Sequence, residues 1–352
     1  MTILFAILIF SFLIFIHELG HFLAAKASGV QVNEFSMFMG PAIWKKQVGE
    51  TLYSIRCIPL GGYCAMEGED EDTDNPRSFQ KAAWWKRLII LVAGAFMNFV
   101  AGLLIIAIVL IPAQMVNVLE VQSFEEWSTL DDNGMMVGDR ILEIDGEKMY
   151  MYNDFSMILT LNPGEIHDLV VLRNGEEVQL NDLRMEKFEV TDEEGNKSLK
   201  YGVTFGVEEL TFAGKLQNVW YTAVDWVRSV RISLQMLVNG QAGFSDLTGP
   251  VGLVSEMNNM AQASPTVLDA VLNMLYFGAF IAINLAVMNL LPIPALDGGR
   301  VVALLLTTAI EAITRRKINP KYEGYIHAAG MLLLLGLMAV ILFKDIFAIF
   351  KG

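Results

Sequence analysis

Histidine, cysteine and charge are all scarce in this chain. Of its 352 residues only 4 are His and 2 are Cys, and charged residues make up 18% against 54% hydrophobic ones. So small a charged share excludes an ordinary soluble globular protein and points to a chain that crosses a membrane several times. The two cysteines, Cys57 and Cys64, fall in a loop whose basic residues place it in the cytoplasm, where a lasting disulfide is disfavoured. A C-x₆-C pair without further Cys or His partners also lacks a tetrahedral zinc set. No Lys or Arg precedes the first apolar run. Met1 to Ile16 therefore has no basic n-region, and with no small-residue cleavage site either it reads as a retained helix rather than a signal peptide. With 25 Lys and Arg against 39 Asp and Glu the net charge is −14, which excludes a nucleic-acid or anionic-lipid binder and suits a solvated acidic domain.

Four windows are long and apolar enough to span a bilayer: roughly Thr2 to Ala25, Leu88 to Ala113, Leu272 to Leu291, and Met331 to Phe347 with its upstream extension. Lys26, Lys45, Lys46, Arg56, Arg77, Lys81, Lys86 and Arg87 fill the loop after the first span, and Arg300, Arg315, Arg316, Lys317 and Lys321 follow the third. Both loops are therefore expected in the cytoplasm, and the acidic segment from about Val118 to Asp269 outside. The acidic run Glu67 to Asp74 reads as a solvated connection.

At the end of the first apolar run stands His17-Glu18-Leu19-Gly20-His21. Four residues apart on a helix, the two imidazoles share a face and can hold one Zn²⁺, with Glu18 beside them as a base. Chance would produce H-E-x-x-H in about one such sequence in a few hundred. Ionisable groups at membrane depth are costly and usually functional, so the bland alternative, three polar side chains satisfied inside a helix bundle, is the weaker one. Such a motif in a membrane helix suggests a protease that cuts within the bilayer.

Between the first two spans, Thr51 to Pro59 reads as a β-rich run, and Leu60-Gly61-Gly62-Tyr63 supplies turn residues for a hairpin. That hairpin either leans against the metal helix or is an ordinary cytoplasmic one. Trp84-Trp85-Lys86-Arg87 anchors the second span, where Gly94 and Asn98 share a face suited to close packing and an interhelical hydrogen bond. From about Met115 to Phe205 short strands alternate with turns, as in Gly138-Asp139-Arg140-Ile141-Leu142-Glu143-Ile144-Asp145-Gly146. This stretch resembles the G-D-x-I-x-x-I-x-G signature of bacterial membrane-protease PDZ domains. It lacks the upstream S-P-A-x-x-A-G-L stretch, which favours a steric filter over peptide capture by strand addition. Lys215 to Val238 reads as an amphipathic interfacial helix with Asp225, Arg228 and Arg231 nearer its polar face, and Gly249-Pro250-Val251-Gly252 breaks the chain beyond it.

Two histidines leave zinc short of a third protein ligand. Asp297, in Asn289-Leu-Leu-Pro292-Ile-Pro294-Ala-Leu-Asp297-Gly298-Gly299-Arg300, is a candidate, since two prolines interrupt the helix beside it; a solvated aspartate in a helix-ending turn is the alternative. HExxH on the first span, N-x-x-P-x-P-x-L-D-G at the end of the third and a PDZ-like insert between the second and third together resemble the site-2 protease family of intramembrane zinc metalloproteases. The similarity is to its bacterial RseP-type branch (regulator of sigma-factor protease) with a single PDZ domain. Met39-Gly40-Pro41, Pro59 to Tyr63, Gly249 to Gly252 and Glu323-Gly324-Tyr325-Ile326-His327 add to the resemblance.

The resemblance implies His17, His21 and Asp297 as ligands of a Zn²⁺ cofactor and Glu18 as general base. Asn289, Pro292 and Pro294 would shape a substrate groove, and the hairpin at Gly61 and Gly62 would pair with substrate as an added strand. Asn98 is carried over as a further substrate-binding residue from a G-P-x-x-N pattern in which this chain has Ala95 for the proline. His327 falls outside the ligand set and reads as packing or interfacial.

The fold class expected is a polytopic α-helical membrane protein with about four transmembrane helices, a membrane-associated β-hairpin and an extracytoplasmic α+β PDZ-like domain. Its divisions are 1–27 and 28–87 (first span, cytoplasmic loop with hairpin), 88–114 (second span), 115–208 (PDZ-like), 209–270 (interfacial helix and connector), 271–300 (third span), 301–326 (cytoplasmic) and 327–352 (fourth span). The resemblance further implies a bacterial inner-membrane enzyme with its active site toward the cytoplasm. It would act on transmembrane proteins or peptides, anti-sigma factors or signal-peptide remnants, with a site-1 protease trimming the same substrate first. A non-enzymatic PDZ scaffold is the rival that residue reading leaves open.

Overall fold

The computed structural model describes residues 2–69, 73–191, 197–243, 247–315 and 321–351, and resolves two compact units, one of residues up to Ile106 and from Gly240 onward, the other Ala107–Asn239. Asp70, Glu71 and Asp72 of the acidic run, and Arg316 and Lys317 of the second basic cluster, lie outside the described residues.

The first unit is built from α1 (Thr2–Ser28), β1 (Val32–Val48), β2 (Thr51–Met66) and, up to Ile106, α2 (Trp84–Leu110). Further along the chain the second unit contributes β3 to β10 with α3 and α4, described below, before the first resumes with α5 (Pro250–Ala263), α6 (Val267–Asn289), α7 (Asp297–Thr314) and α8 (Lys321–Lys351). Among the described residues four helical stretches are long and apolar enough to cross a membrane: Thr2–Ser28, Trp84–Leu110, Val267–Asn289 and Gly324–Asp345. At 1.5 Å per residue the 27 residues of α1 extend about 40 Å, more than the roughly 30 Å of hydrocarbon. Leu13 on α1, Met257 on α5 and Ala282 on α6 are fully buried in one cluster, so α1 packs directly against both.

β1 and β2 form the expected hairpin; the chain reverses at Gly49-Glu50, where Val48 pairs with Thr51, and again between Ile55 and Gly62, beside the expected turn residues. The second reversal follows from register. Residues 34–37 of β1 pair with 52–55 in the same direction on one side, and 32–37 pair with 62–66 in the opposite direction on the other, so Gly61, with φ +75°, and Gly62 stand where the chain has just turned. Phe35, Cys64 and Met66 bury against Ala25 of α1, Ile90 and Leu91 of α2 and Leu304 of α7. The turn is pinned as well: the Glu50 carboxylate meets Arg77 at 2.6 and 2.8 Å and Lys26 at 2.7 Å, and these two cations pull its pKa down to about 2. Of the acidic run, Glu67 accepts from Asn33 (2.7 Å) and Glu69 pairs with Arg300 of α7, so this part of the connection is anchored to the protein.

Two stretches read as connections are helices. α5 begins on Pro250, whose missing N–H costs nothing at a first helical position, and its entry is held by Asp345 of α8, which accepts from the Gly249 and Gly252 backbone at 3.1 Å each. The third span stops at Asn289, and Asp297 opens the amphipathic α7 rather than trailing the span.

The second unit is an antiparallel sheet with helices. It comprises β3 (Met115–Phe124), β4 (Arg140–Ile144), β5 (Glu147–Lys148), α3 (Tyr152–Leu161), β6 (Ile166–Arg173), β7 (Glu176–Arg184), β8 (Phe188–Thr191), β9 (Lys197–Lys200), β10 (Val203–Glu209) and α4 (Phe212–Val238). Its main sheet has the order β10-β3-β4-β6-β7, with β5 on β4 and a separate β8-β9 pair. Its core holds Leu130, Ile144, Ile158 and Val171 at 0% exposure, together with Ile232 of α4. Each such side chain contributes about 1.5–3 kcal/mol by leaving water, which makes α4 part of this unit's fold.

The polar face expected on α4 is turned partly inward. Asp225 is buried with Asp154 of α3, which is 0% exposed. Asp154 caps α3 by accepting from Tyr150 N (2.6 Å) and Met151 N (2.9 Å) and lies 3.6 Å from Arg228. Burial, and then the Asp154 carboxylate, push Asp225 up to about 8. The folded chain thus keeps a proton that an unfolded aspartate, with a pKa of about 4, releases. Stability of this unit is therefore lost as pH rises from about 4 to 8. In the full chain in detergent, Asp225→Asn should slow amide exchange across α4 relative to wild type strongly at pH 8.5, less at pH 5.5, and not at all below about pH 4; a difference that does not grow with pH would show that no proton is held there.

Candidate metal centre

His17 and His21 project from one face of α1, as their i, i+4 spacing requires, and Asp297 meets them from the first position of α7. His17 Nε2 lies 3.2 Å from His21 Nε2 and 3.2 Å from Asp297 Oδ2, and His21 Nε2 lies 3.3 Å from the same oxygen. Ligands about 2.0–2.1 Å from a tetrahedral zinc stand about 3.3–3.4 Å from one another, so this triangle is one face of such a site. Asp297 Oδ2 is buried without a hydrogen-bond donor in good geometry, a cost that a cation between the three atoms would remove. Among the described residues this is the only group of His, Cys, Asp and Glu that could hold a metal ion. The three side chains retain 14%, 9% and 19% exposure, which leaves room for a fourth, non-protein ligand.

Each imidazole is oriented from behind. His21 Nδ1 donates to the Ile90 carbonyl at 2.8 Å, which fixes the tautomer that leaves Nε2 free to bind metal. His17 Nδ1 is 3.4 Å from the side-chain amide of Asn98 on α2 and 3.5 Å from that of Asn289 at the end of α6. With its amide turned, Asn98 would offer His17 Nδ1–H an oxygen, and that oxygen is otherwise buried without a partner. Both asparagines, read from sequence as substrate-side residues, thus stand against a histidine of the triad.

The other sequence candidates are placed as follows. Glu18 neighbours the triad, and the Cys64 backbone N–H faces its carboxylate. Gly62 lies beside it, since a Cβ built there would come 3.2 Å from Glu18 Cγ, and Gly61 turns with φ +75° against Met39. The strand 62–66 therefore runs past the glutamate. Pro292 is exposed, and Pro294 packs on α8, where a Cβ on Gly330 would come 2.5 Å from its side chain. His327 is outside the triad and buried on α8.

Sequence reasoning assigned Gly94 to helix packing and missed its larger role. A Cβ there would stand 2.3 Å from His21 Nε2 and 2.7 Å from His17 Cε1, so the histidine pair occupies the space that only glycine leaves on α2. The i, i+4 step from Gly94 to Asn98, which puts a gap and an amide on the same face, was the available signal. Gly298 is similarly constrained: a Cβ would come 2.3 Å from the Leu290 and Leu291 carbonyl oxygens, so the chain folds back tightly to bring Asp297 toward α1.

Two imidazoles on an apolar helix long enough to cross a membrane and a carboxylate brought to them by α7, with a glutamate alongside, define a membrane metallohydrolase site. Comparison with known proteins agrees: residues 5–337 match the model of peptidase family M50, and the chain belongs to that family, the site-2 proteases. It is a membrane zinc metalloprotease whose cofactor is Zn²⁺. The chain is 36% identical over 350 residues to a Clostridium perfringens protein named as a zinc metalloprotease, covering 98% of each. A similarly named Fusobacterium nucleatum protein is 34% identical over 367 residues, with all of both chains covered. The regulator of sigma-W protease RasP of Bacillus subtilis is 27% identical over 434 residues, with 99% of each covered.

Gly94→Ala should therefore lower bound zinc from about one per chain to a small fraction while leaving helix content unchanged, as read by metal analysis and circular dichroism of the purified protein. Full zinc occupancy in this variant would contradict the geometry.

Proposed function

We propose that this metalloprotease hydrolyses peptide bonds inside transmembrane segments of single-span membrane proteins, in regulated intramembrane proteolysis of the anti-sigma-factor kind. The observation that carries the reading is the position of the triad. His17 stands about 22 Å along α1, at 1.5 Å per residue, inside an apolar run rather than in a solvated domain. The name of the Bacillus subtilis relative, which regulates a sigma factor, supports this substrate class.

His17, His21 and Asp297 would hold Zn²⁺, which when bound polarises a carbonyl and acidifies water. Glu18 is the group placed to take a proton from the attacking water and return it to the leaving amine. The Cys64 N–H pointing at its carboxylate holds that carboxylate in place. A scissile bond within a helix is shielded by its own hydrogen bonds, so the substrate must unwind before it can be cut. The strand 62–66, which carries Gly62 past Glu18, offers backbone groups for an extended segment to pair with. The break at Pro292 and Pro294 is the second irregular backbone near the triad, and with Asn289 it would flank the groove.

By the basic-residue pattern the centre faces the cytoplasmic side and the Ala107–Asn239 unit lies outside. That unit acts as a PDZ-like size filter, so that a substrate is first trimmed by a site-1 protease.

Two experiments test this. In detergent, with a single-span substrate, Glu18→Gln should cut at least about 10²-fold more slowly than wild type and retain its zinc; unimpaired cleavage would remove Glu18 from the mechanism. With the full chain and substrates differing only in the bulk of their outer domain, cleavage should fall as that domain grows, whereas equal rates would count against a filter.

A further inference from the structure

We propose that His327 is a positioning residue for the zinc ligand Asp297, acting through a hydrogen bond to the backbone of Ala295; the inference rests on the metal-centre reading above. Ala295 has φ +80°, a left-handed conformation that a residue with a Cβ rarely adopts and that surrounding contacts must hold. It sits two residues before Asp297, between Pro294 and the start of α7, so its conformation sets the direction from which the carboxylate approaches α1.

The Ala295 N–H donates to His327 Nδ1 at 3.1 Å. His327 is itself buried, at 9% exposure, on a helix whose neighbouring side chains are mostly apolar and exposed. One turn further along α8, Gly330 completes the cradle: a Cβ there would come 2.5 Å from the Pro294 side chain and 2.8 Å from its carbonyl carbon and oxygen. The same face of α8 thus receives Pro294 in a notch and Ala295 on a hydrogen bond.

Because the Ala295 amide is the donor, Nδ1 must carry no proton, and a neutral imidazole in this role has its proton on Nε2. An imidazole used only to fill space would not need an acceptor at that atom. The last span is thereby linked to the metal centre without supplying a ligand to it.

Outer partners of metal ligands typically alter metal affinity by about ten- to a hundredfold when removed. The test uses the full chain in detergent, loaded with zinc and then challenged with a chelator, in wild type, His327→Leu and His327→Asn. Leucine fills the site without an acceptor, and asparagine places Oδ1 near the position of Nδ1. His327→Leu should lose zinc about tenfold faster or more, and His327→Asn should hold it close to wild type. Equal retention by leucine and wild type, or equal loss by asparagine and leucine, would overturn the assignment.

Amide exchange at Ala295 in the wild-type chain gives a reading that needs no variant: protection supports the hydrogen bond, and exchange at the rate of an open loop overturns it. A wild-type chain that binds no zinc would instead overturn the metal-centre reading itself, so the two failures are distinguishable.

Discussion

Three donor atoms, two imidazole nitrogens and one carboxylate oxygen, are held 3.2–3.3 Å apart by helices distant in sequence, and the rest of the first unit is organised around that triangle. Three polar groups brought this close among apolar helices would be an expensive arrangement with nothing between them. They pack there because the surrounding chain leaves space and supplies outer partners. Gly94 leaves the space on α2, Ile90 and Asn98 orient the rings, and the folded-back segment from Leu290 to Gly299 delivers the carboxylate. Arg300, one turn into α7, is tied to Glu69 beyond β2, so the element that delivers Asp297 is anchored to the hairpin that runs past Glu18.

The histidine pair was legible because its chemistry is local: H-E-x-x-H on a helix dictates a shared face, and the apolar run around it dictates a membrane setting. Asp297 was legible as a candidate only because two prolines broke a span beside it, and the family resemblance did the rest. Gly94 was legible only as a packing residue, since sequence gives its face on α2 but not which side chains fill the gap. His327 was read as packing for a similar reason. A lone histidine has no partner at ligand spacing, and its partner here is a backbone amide whose position depends on how α6 and α7 are joined.

The fold divides along the same line. Candidate spans follow from apolar length alone, and among the described residues all four expected from sequence are helices long and apolar enough to cross a membrane. The reversal ending at Gly61-Gly62 was legible from turn composition, whereas the one at Gly49-Glu50 depends on the pairing of 44–48 with 51–55, which composition does not show. Asp225 likewise belongs by helical spacing to the polar face of α4, yet it is buried against Asp154 because α4 packs into the core of the second unit through Ile232. Such a buried carboxyl pair is invisible to periodicity, which counts polar residues as exposed.

The central claim is that His17, His21 and Asp297 together bind the catalytic zinc, and zinc-edge X-ray absorption on the purified full chain tests it most directly. The account predicts two imidazole ligands and only nitrogen or oxygen scatterers at about 2.0–2.1 Å. Asp297→Asn should weaken zinc retention, and His327→Asn should leave the spectrum unchanged. A sulfur shell at about 2.3 Å, or a single imidazole, would contradict it.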